Sequence, residues 1–367
     1  MKIFLPDCVN EKSIYNDIIE ELSLFYASSN KDDIPIISLV KTERIDASAI
    51  TLLASIINIM CNFHKNSIYI EMVYRPRLLY FLNHIQFLGK LKSIKFIDYD
   101  NEYIGGFSDY IDKEYYEKNK FYIHYPVTEY LLYSREERKN YRDRLAEQLN
   151  YEVISQYMPI FNSYSLGDQV LDLVKISIRE LISNAQCYSK SLCYVFCQCG
   201  IKVSNTIRKS IISIADIGVG LKKSLDCHKS DYFAYPLEYQ QMFKSICLSI
   251  SEYDRRVYED LFVILECLYY SEINTYQMDQ YDFGREVNLY ILKGLIVNNN
   301  GIMRIHYKTT QVIFTYDQCK YCKKSILECI RCIIYFDKMN KNKTPIKRFK
   351  NSLVGVHINV EFYRGGQ

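Results

Sequence analysis

Two neighbouring stretches decide the fold: LDLVKISIRELISNAQCYS at 171–189 and SIISIADIGVGLKKSL at 210–225. In the first, Asp172, Lys175, Arg179, Ser183 and Gln186 recur at three- and four-residue steps, while Val174, Ile178, Leu181, Ile182 and Ala185 fill the opposite side. That period predicts an amphipathic helix. Glu180 and Asn184, four residues apart, point the same way beside the polar stripe. The second stretch is an apolar strand ending in Asp216-Ile217-Gly218-Val219-Gly220. A carboxylate at a strand end, followed by two glycines, suits a ligand needing one acceptor and close backbone approach.

Working outward, the N-terminal hundred residues alternate strand and helix. Lys2–Leu5 reads as a strand, Glu11–Tyr26 as a helix, and IISLV after Pro35 as a second strand. A turn and a long apolar helix follow in ERIDASAITLLASIINIMCNF. Then come the strand SIYIEMVY, the helix PRLLYFLNHIQFLGKL and the strand SIKFIDY. This order argues for an α/β unit with a sheet backed by helices. Residues 101–165 read as a connecting segment, with a loop at Asn101–Asp109 and a charged helix at Ser134–Asn150. That helix could pack on the C-terminal unit or form a homodimer. Near the C-terminus, MRIHYKTTQVIFTYD alternates on either side of Lys308-Thr309-Thr310 and reads as a β-hairpin. GVHINVEFY reads as the last strand, with Val356, Ile358, Val360 and Phe362 on one face.

Composition narrows the functional classes. With 49% hydrophobic and 24% charged residues, the 367-residue chain is expected to be globular, with two or three domains. A net charge of +3 is too mild to argue for nucleic acid or a membrane surface. The longest apolar run, Ala47–Phe63, contains Ser, Thr and Asn and reads as a buried core helix and not a span. MKIFLPDCVNEKS turns polar at once, and 13 Cys without an export signal imply reduced thiols in a cytoplasm.

The helix with Glu180 and Asn184, followed by the strand with Asp216, Gly218 and Gly220, resembles the N box and G1 box of the GHKL ATPases. These include gyrase, sensor kinases and anti-sigma-factor kinases. The resemblance implies a Bergerat-type α/β sandwich, a mixed sheet under a helical layer, over 166–367. It also implies a Mg²⁺-ATP site. Asn184 would hold Mg²⁺ through its side-chain oxygen, and Glu180 would orient or deprotonate an attacking water or hydroxyl. Asp216 would accept from the adenine amine, with Gly218 and Gly220 letting the backbone pass the nucleotide. The lid would run over about 228–283, including a helix pattern at Tyr258–Tyr270. The G2 box would lie at 282–289, where only Gly284 remains and Glu286 and Asn288 replace glycines. A Glu there brings negative charge toward a triphosphate, so binding is favoured over turnover.

Residues 1–100 resemble the STAS domain of anti-sigma-factor antagonists, through Ile45-Asp46-Ala47-Ser48-Ala49 and the helix holding Tyr80-Phe81-Leu82 and Phe87. The resemblance makes Ser48 a phosphoacceptor; the plainer reading is that Asp46 or Ser48 caps the helix. The whole chain then reads as an α/β protein resembling bacterial ATP-binding regulators with a STAS-like unit ahead of a GHKL-like one. The expected function is ATP binding with Mg²⁺-dependent hydrolysis or serine phosphorylation coupled to a protein partner. The alternative is a non-catalytic interaction module with a degenerate ATP site. In the Cys-rich insertion at about 317–350, Cys319-x-x-Cys322 and Cys329-x-x-Cys332 could hold Zn²⁺. Cys329 and Cys332 could equally be core on an apolar helix.

Overall fold

The computed structural model describes residues 2–28, 34–64, 68–91, 97–99, 118–126, 134–162, 166–189, 191–226, 237–248, 251–268, 301–316, 326–339 and 344–364. The N-terminal strands are β1 (Lys2–Phe4), β2 (Cys8–Val9), β3 (Ile36–Ser38), β4 (Arg44–Ile45), β5 (Ile68–Glu71) and β6 (Ile97–Tyr99). β1-β3-β5-β6 form a parallel sheet, and β2 pairs with β4, also in parallel. Parallel pairing needs crossovers, which the helices supply. The first is α1 (Glu11–Ser13), a π turn at Ile14–Ile18, and α2 (Ile19–Ser28). Asn10 opens it with a capping box, exchanging bonds with Ser13. The second is α3 (Ala47–His64), the third α4 (Pro76–His84) and α5 (Phe87–Leu91). The sequence predicted one helix over 76–91. The structure breaks it at Gln86, whose φ of 57° leaves the helical region.

The second unit begins earlier than the strand pattern suggested. β7 (Asn119–His124), inside the segment read as a connection, pairs with β8 (Cys193–Lys202). The sheet continues through β9 (Arg208–Asp216), β10 (Ile302–Thr315) and β11 (Ile346–Arg364) in the order β10-β11-β9-β8-β7. Every pairing is antiparallel, where the resemblance implied a mixed sheet. The chain is therefore an α/β protein with one parallel and one antiparallel sheet.

Helices layer one face of this second sheet: α6 (Arg135–Glu152), α7 (Met158–Asn162), α8 (Asp168–Tyr188), α9 (Gly220–Asp226), α10 (Leu237–Leu248), α11 (Glu252–Leu268) and α12 (Ile326–Met339). Ser134 caps α6 through a capping box with Glu137, and Leu145 and Leu149 join the core beside α8. The charged helix thus packs on its own unit. The expected hairpin is corrected: residues 302–315 are one strand, with register shifts at Lys308 against β11. Lys308 takes φ 53°, so the break in alternation marks a bulge and not a chain reversal.

The other face of the second sheet is also covered. Tyr194 and Phe196 of β8, with Phe121 of β7, pack into the core of the parallel unit, while Cys193, Val195 and Cys197 face the helices. α3 lies directly over β8 and β9. By length and composition α3 could cross a membrane, yet most of it is buried between the two sheets. The chain is a stack of helices, antiparallel sheet, α3 and parallel sheet, with a cleft beside Lys209 and Ile211 on the α3-facing side of the antiparallel sheet.

Candidate functional site

The expected apolar stripe of α8 is the buried one: Val174, Ile178 and Ile182 are wholly enclosed, facing Val195, Ile212 and Ile214. Burial spreads past the stripe to Glu180, which is only 6% exposed. Arg179 holds its carboxylate, donating from Nη2 at 2.8 Å and Nε at 3.2 Å to the same oxygen. The guanidinium therefore occupies one of the two oxygens of a candidate base with charge-assisted bonds. Asn184, one turn on and about 6 Å further along the axis, is half-buried.

Asp216 ends β9 between Cys193 of β8 and Val356 of β11. Its Oδ1 accepts from the Gly218 amide at 2.8 Å, a local Asx-type turn. Burial pushes the carboxyl up to about 7, against the pull of that amide. Some solvent still reaches the side chain. Among the described residues, the other carboxylate oxygen has no partner.

The glycines after Asp216 have structural reasons of their own. A Cβ on Gly218 would sit 1.9 Å from the carbonyl oxygen of Ser189, and that oxygen accepts from Val219 N–H at 3.0 Å. The turn is therefore lodged against the C-terminal end of α8. Gly220 takes φ 79° and faces the Tyr307 ring, which a Cβ would approach to 3.2 Å. The Tyr307 hydroxyl accepts from Lys222 N–H at 3.4 Å at the start of α9. The close approach predicted for a nucleotide is, at both glycines, an approach of protein to protein. The structure thus brings the end of the Glu180/Asn184 helix and the Asp216 turn together.

Three contributors escaped the sequence reading. Gly355 (φ 96°) would place a Cβ 1.9 Å from the carbonyl oxygen of Asp216, so β11 passes the turn only because that residue is glycine. A lone glycine inside an alternating strand was the available signal. Tyr307 and Arg179 are ordinary residue types in ordinary periodic positions and carried none. Within the segment expected to form the lid, α11 is anchored by buried Asp260, which accepts from Thr310 Oγ1 at 3.1 Å and pairs with Lys308 Nζ at 3.4 Å. Burial raises the Asp260 carboxyl above its ordinary value despite that lysine. Gly284, the rest of the G2 box, and the remainder of the lid outside α10 and α11 lie outside the described residues.

Cys329 is 2% exposed among Ile330 and Ile333, and Cys332 packs at the edge of the same core. Cys319 and Cys322 lie outside the described residues, and among those described no group of three His, Cys, Asp or Glu is placed to hold a metal. Cys193, Cys197 and Cys199 are core residues whose thiols burial pushes up.

Ser48 is the second residue of α3, and among the described residues its hydroxyl has no hydrogen-bond partner. Asp46, one of the two expected caps, pairs with Arg44 at 3.2 Å. Ser48 lines a cleft of about 1240 Å³ between the two units, with Arg75, Arg77, Phe81, Lys209 and Ile211. Ile212 and Ile214 face α8, so by strand alternation Asp216 shares that side. Lys209, Ile211 and Ser213 face α3. The antiparallel sheet therefore separates Ser48 from Glu180, Asn184 and Asp216.

Comparison of the chain with protein-family models, curated proteins and solved structures returned no match.

Proposed function

We propose that the chain is an ATP-binding regulatory protein of GHKL type, with a STAS-like unit fused ahead of a Bergerat-type domain, and that it binds Mg²⁺-ATP more readily than it turns it over. One observation carries the reading. The Asp216 turn is seated on the end of the helix bearing Glu180 and Asn184, with one Asp216 oxygen satisfied by Gly218 and the other open to a donor. A buried carboxylate with one open acceptor suits an adenine amine. The half-buried Asn184 offers a neutral oxygen, which suits a cation that keeps most of its water and phosphate oxygens. Bound Mg²⁺ would supply charge neutralisation to the phosphates.

The second reading, a non-catalytic interaction module, is favoured by Arg179 on Glu180 and by packing reasons sufficient for Gly218 and Gly220. It shares the same binding residues and differs in chemistry. If a serine is phosphorylated, Ser48 of the same molecule is out of reach behind the sheet, so transfer to it runs between molecules.

Calorimetric titration with Mg²⁺-ATP, wild type beside Asp216→Ala, tests the reading. Saturable binding that weakens at least about tenfold in the variant, the loss of one well-placed acceptor, supports it. Absence of binding heat in the wild type removes it.

A further inference from the structure

The strand that ends in Asp216 is gripped from behind. Ser213, three residues earlier and fully buried, has its Oγ 2.8 Å from Thr51 Oγ1 of α3 and 3.2 Å from His357 Nε2 of β11. Ser213 Oγ also reaches the Ser48 carbonyl oxygen at 3.5 Å. On β11, His357 Nδ1 lies 3.9 Å from Glu11 Oε1. The Glu11 carboxylate also accepts from Asn359 at 3.4 Å and Gln311 at 3.0 Å. Ser213, His357 and Glu11 follow the order of a hydrolytic triad. With Ser213 at 0% and His357 at 3% exposure, no substrate carbonyl reaches the hydroxyl, so the arrangement is structural.

What it holds is the frame of the candidate site. β9 supplies Asp216, and β11 supplies Gly355, which closes on the Asp216 carbonyl. Thr51 fixes the first strand and Glu11 the second, both from the parallel-sheet unit and both on the face away from Asp216. We propose that Thr51 is a positioning residue for Asp216: its hydrogen bond to Ser213 sets the end of β9, and so the Asp216–Gly218 turn, without touching any ligand. This rests on the nucleotide reading only for its consequence in affinity. The geometry stands without it. The N-terminal unit then has a task beyond recognition of a partner, since displacement of α3 would loosen the site through one strand.

The test uses the full-length protein as wild type, Thr51→Val, Thr51→Ser and Ser213→Ala. Hydrogen–deuterium exchange of the Gly218 amide, which donates to Asp216, is read without ligand and scaled to the Val195 amide, which reports wider opening. Thr51→Val should raise the scaled Gly218 exchange about fivefold, the size of coupling such packed networks carry. It should weaken Mg²⁺-ATP by a similar factor, and Thr51→Ser, which keeps the hydroxyl, should restore both. Ser213→Ala should raise the scaled Gly218 exchange at least as much as Thr51→Val, because it removes the same link together with the contacts to His357 and the Ser48 carbonyl. A merely structural threonine would lower the melting temperature and move Gly218 and Val195 together, which overturns the proposal. Unchanged Gly218 exchange overturns it as well, even if ATP binds. If Gly218 responds but the wild type binds no ATP, the nucleotide reading falls and the positioning role stands.

Discussion

Thr51 Oγ1 and Ser213 Oγ lie 2.8 Å apart, both fully buried, although 162 positions separate them in the chain. A side-chain hydrogen bond of this kind, deep between two sheets, means that neither unit has a finished surface without the other. The α3-facing side of the antiparallel sheet carries Ser213, His357 and Asn359, each at most 3% exposed. Left uncovered in one unit and unpartnered in the other, such groups lose the hydrogen bonds that made their burial tolerable. The full chain should therefore unfold in a single calorimetric transition, with van't Hoff and calorimetric enthalpies in agreement. Two resolved transitions would show instead that the units are separable.

Glycine substitutions should divide sharply by what a Cβ would meet. Gly355→Ala combines φ 96° with a 1.9 Å approach to the Asp216 carbonyl, and backbone cannot swing aside. A loss of more than about 3 kcal/mol is expected. Gly89, in α5 with nothing within 4 Å, should gain about 0.5–1 kcal/mol as alanine. Urea midpoints of the two variants beside the wild type make the comparison.

The difference between what the sequence disclosed and what it hid follows from the range of each interaction. The α8 stripe and the strand–helix order of the first hundred residues are local, written in periods of 3.6 and 2, and both were legible. The alternation of β11 also put Val356, Ile358, Val360 and Phe362 on one face, which leaves His357, Asn359 and Glu361 on the other. It could not reveal that Glu11, 348 positions from Asn359, covers that face. At Lys308-Thr309-Thr310 a lapse in alternation fits either a turn or a bulge. The register of β11, set by residues 346–364, decides for the bulge. Gly218 was singled out from its motif, while the Ser189 carbonyl it packs against carried no signal, since close approach can serve a helix end as readily as a ligand.

Asp216→Asn should stabilise the protein at alkaline pH. Burial lifts the carboxyl from 3.8 to about 7, so folding penalises its charged form. The penalty is complete above pH 7 and fades as pH falls from 7 toward 4, where the unfolded chain is also protonated. A shift of that size corresponds to about 4 kcal/mol, and the remaining solvent contact reduces the expected gain to about 1–2 kcal/mol. Asparagine keeps the acceptor for Gly218, so a gain at pH 8 that shrinks by pH 5 is the expected result. A difference independent of pH would place Asp216 in contact with bulk water.

Acid should weaken the fold through two enclosed imidazoles. His306, stacked on Tyr15 at 3.5 Å between ring centroids, is held down to about 3 by burial. His124, bonded to the Tyr157 hydroxyl at 2.7 Å, is held down to about 4, by burial first and by Lys90 second. The unfolded residues take up protons near 6.5, so stability is complete above that value and is lost as pH falls toward 4. Each group contributes about 1.4 kcal/mol per pH unit within its window. Denaturant midpoints between pH 7.5 and 4.5 should show this slope, and His306→Phe should reduce it by about one proton. An unchanged slope in that variant would locate the acid sensitivity elsewhere.

The Arg179–Glu180 pair separates the catalytic from the non-catalytic reading. At 2.8 Å, with Glu180 nearly enclosed, the guanidinium occupies one oxygen of the carboxylate. Arg179→Ala should leave a buried carboxylate with less compensation and lower stability by about 1–3 kcal/mol. It should also free the Glu180 oxygen that the guanidinium now occupies. If Glu180 is the base of a restrained ATPase, phosphate release should increase severalfold in Arg179→Ala and vanish in the Arg179→Ala/Glu180→Gln double variant. If turnover stays at background in all three proteins while Mg²⁺-ATP still binds, the carboxylate serves α8 alone. Nucleotide is then held as a structural or regulatory ligand, and the function lies in what the bound state presents to a partner.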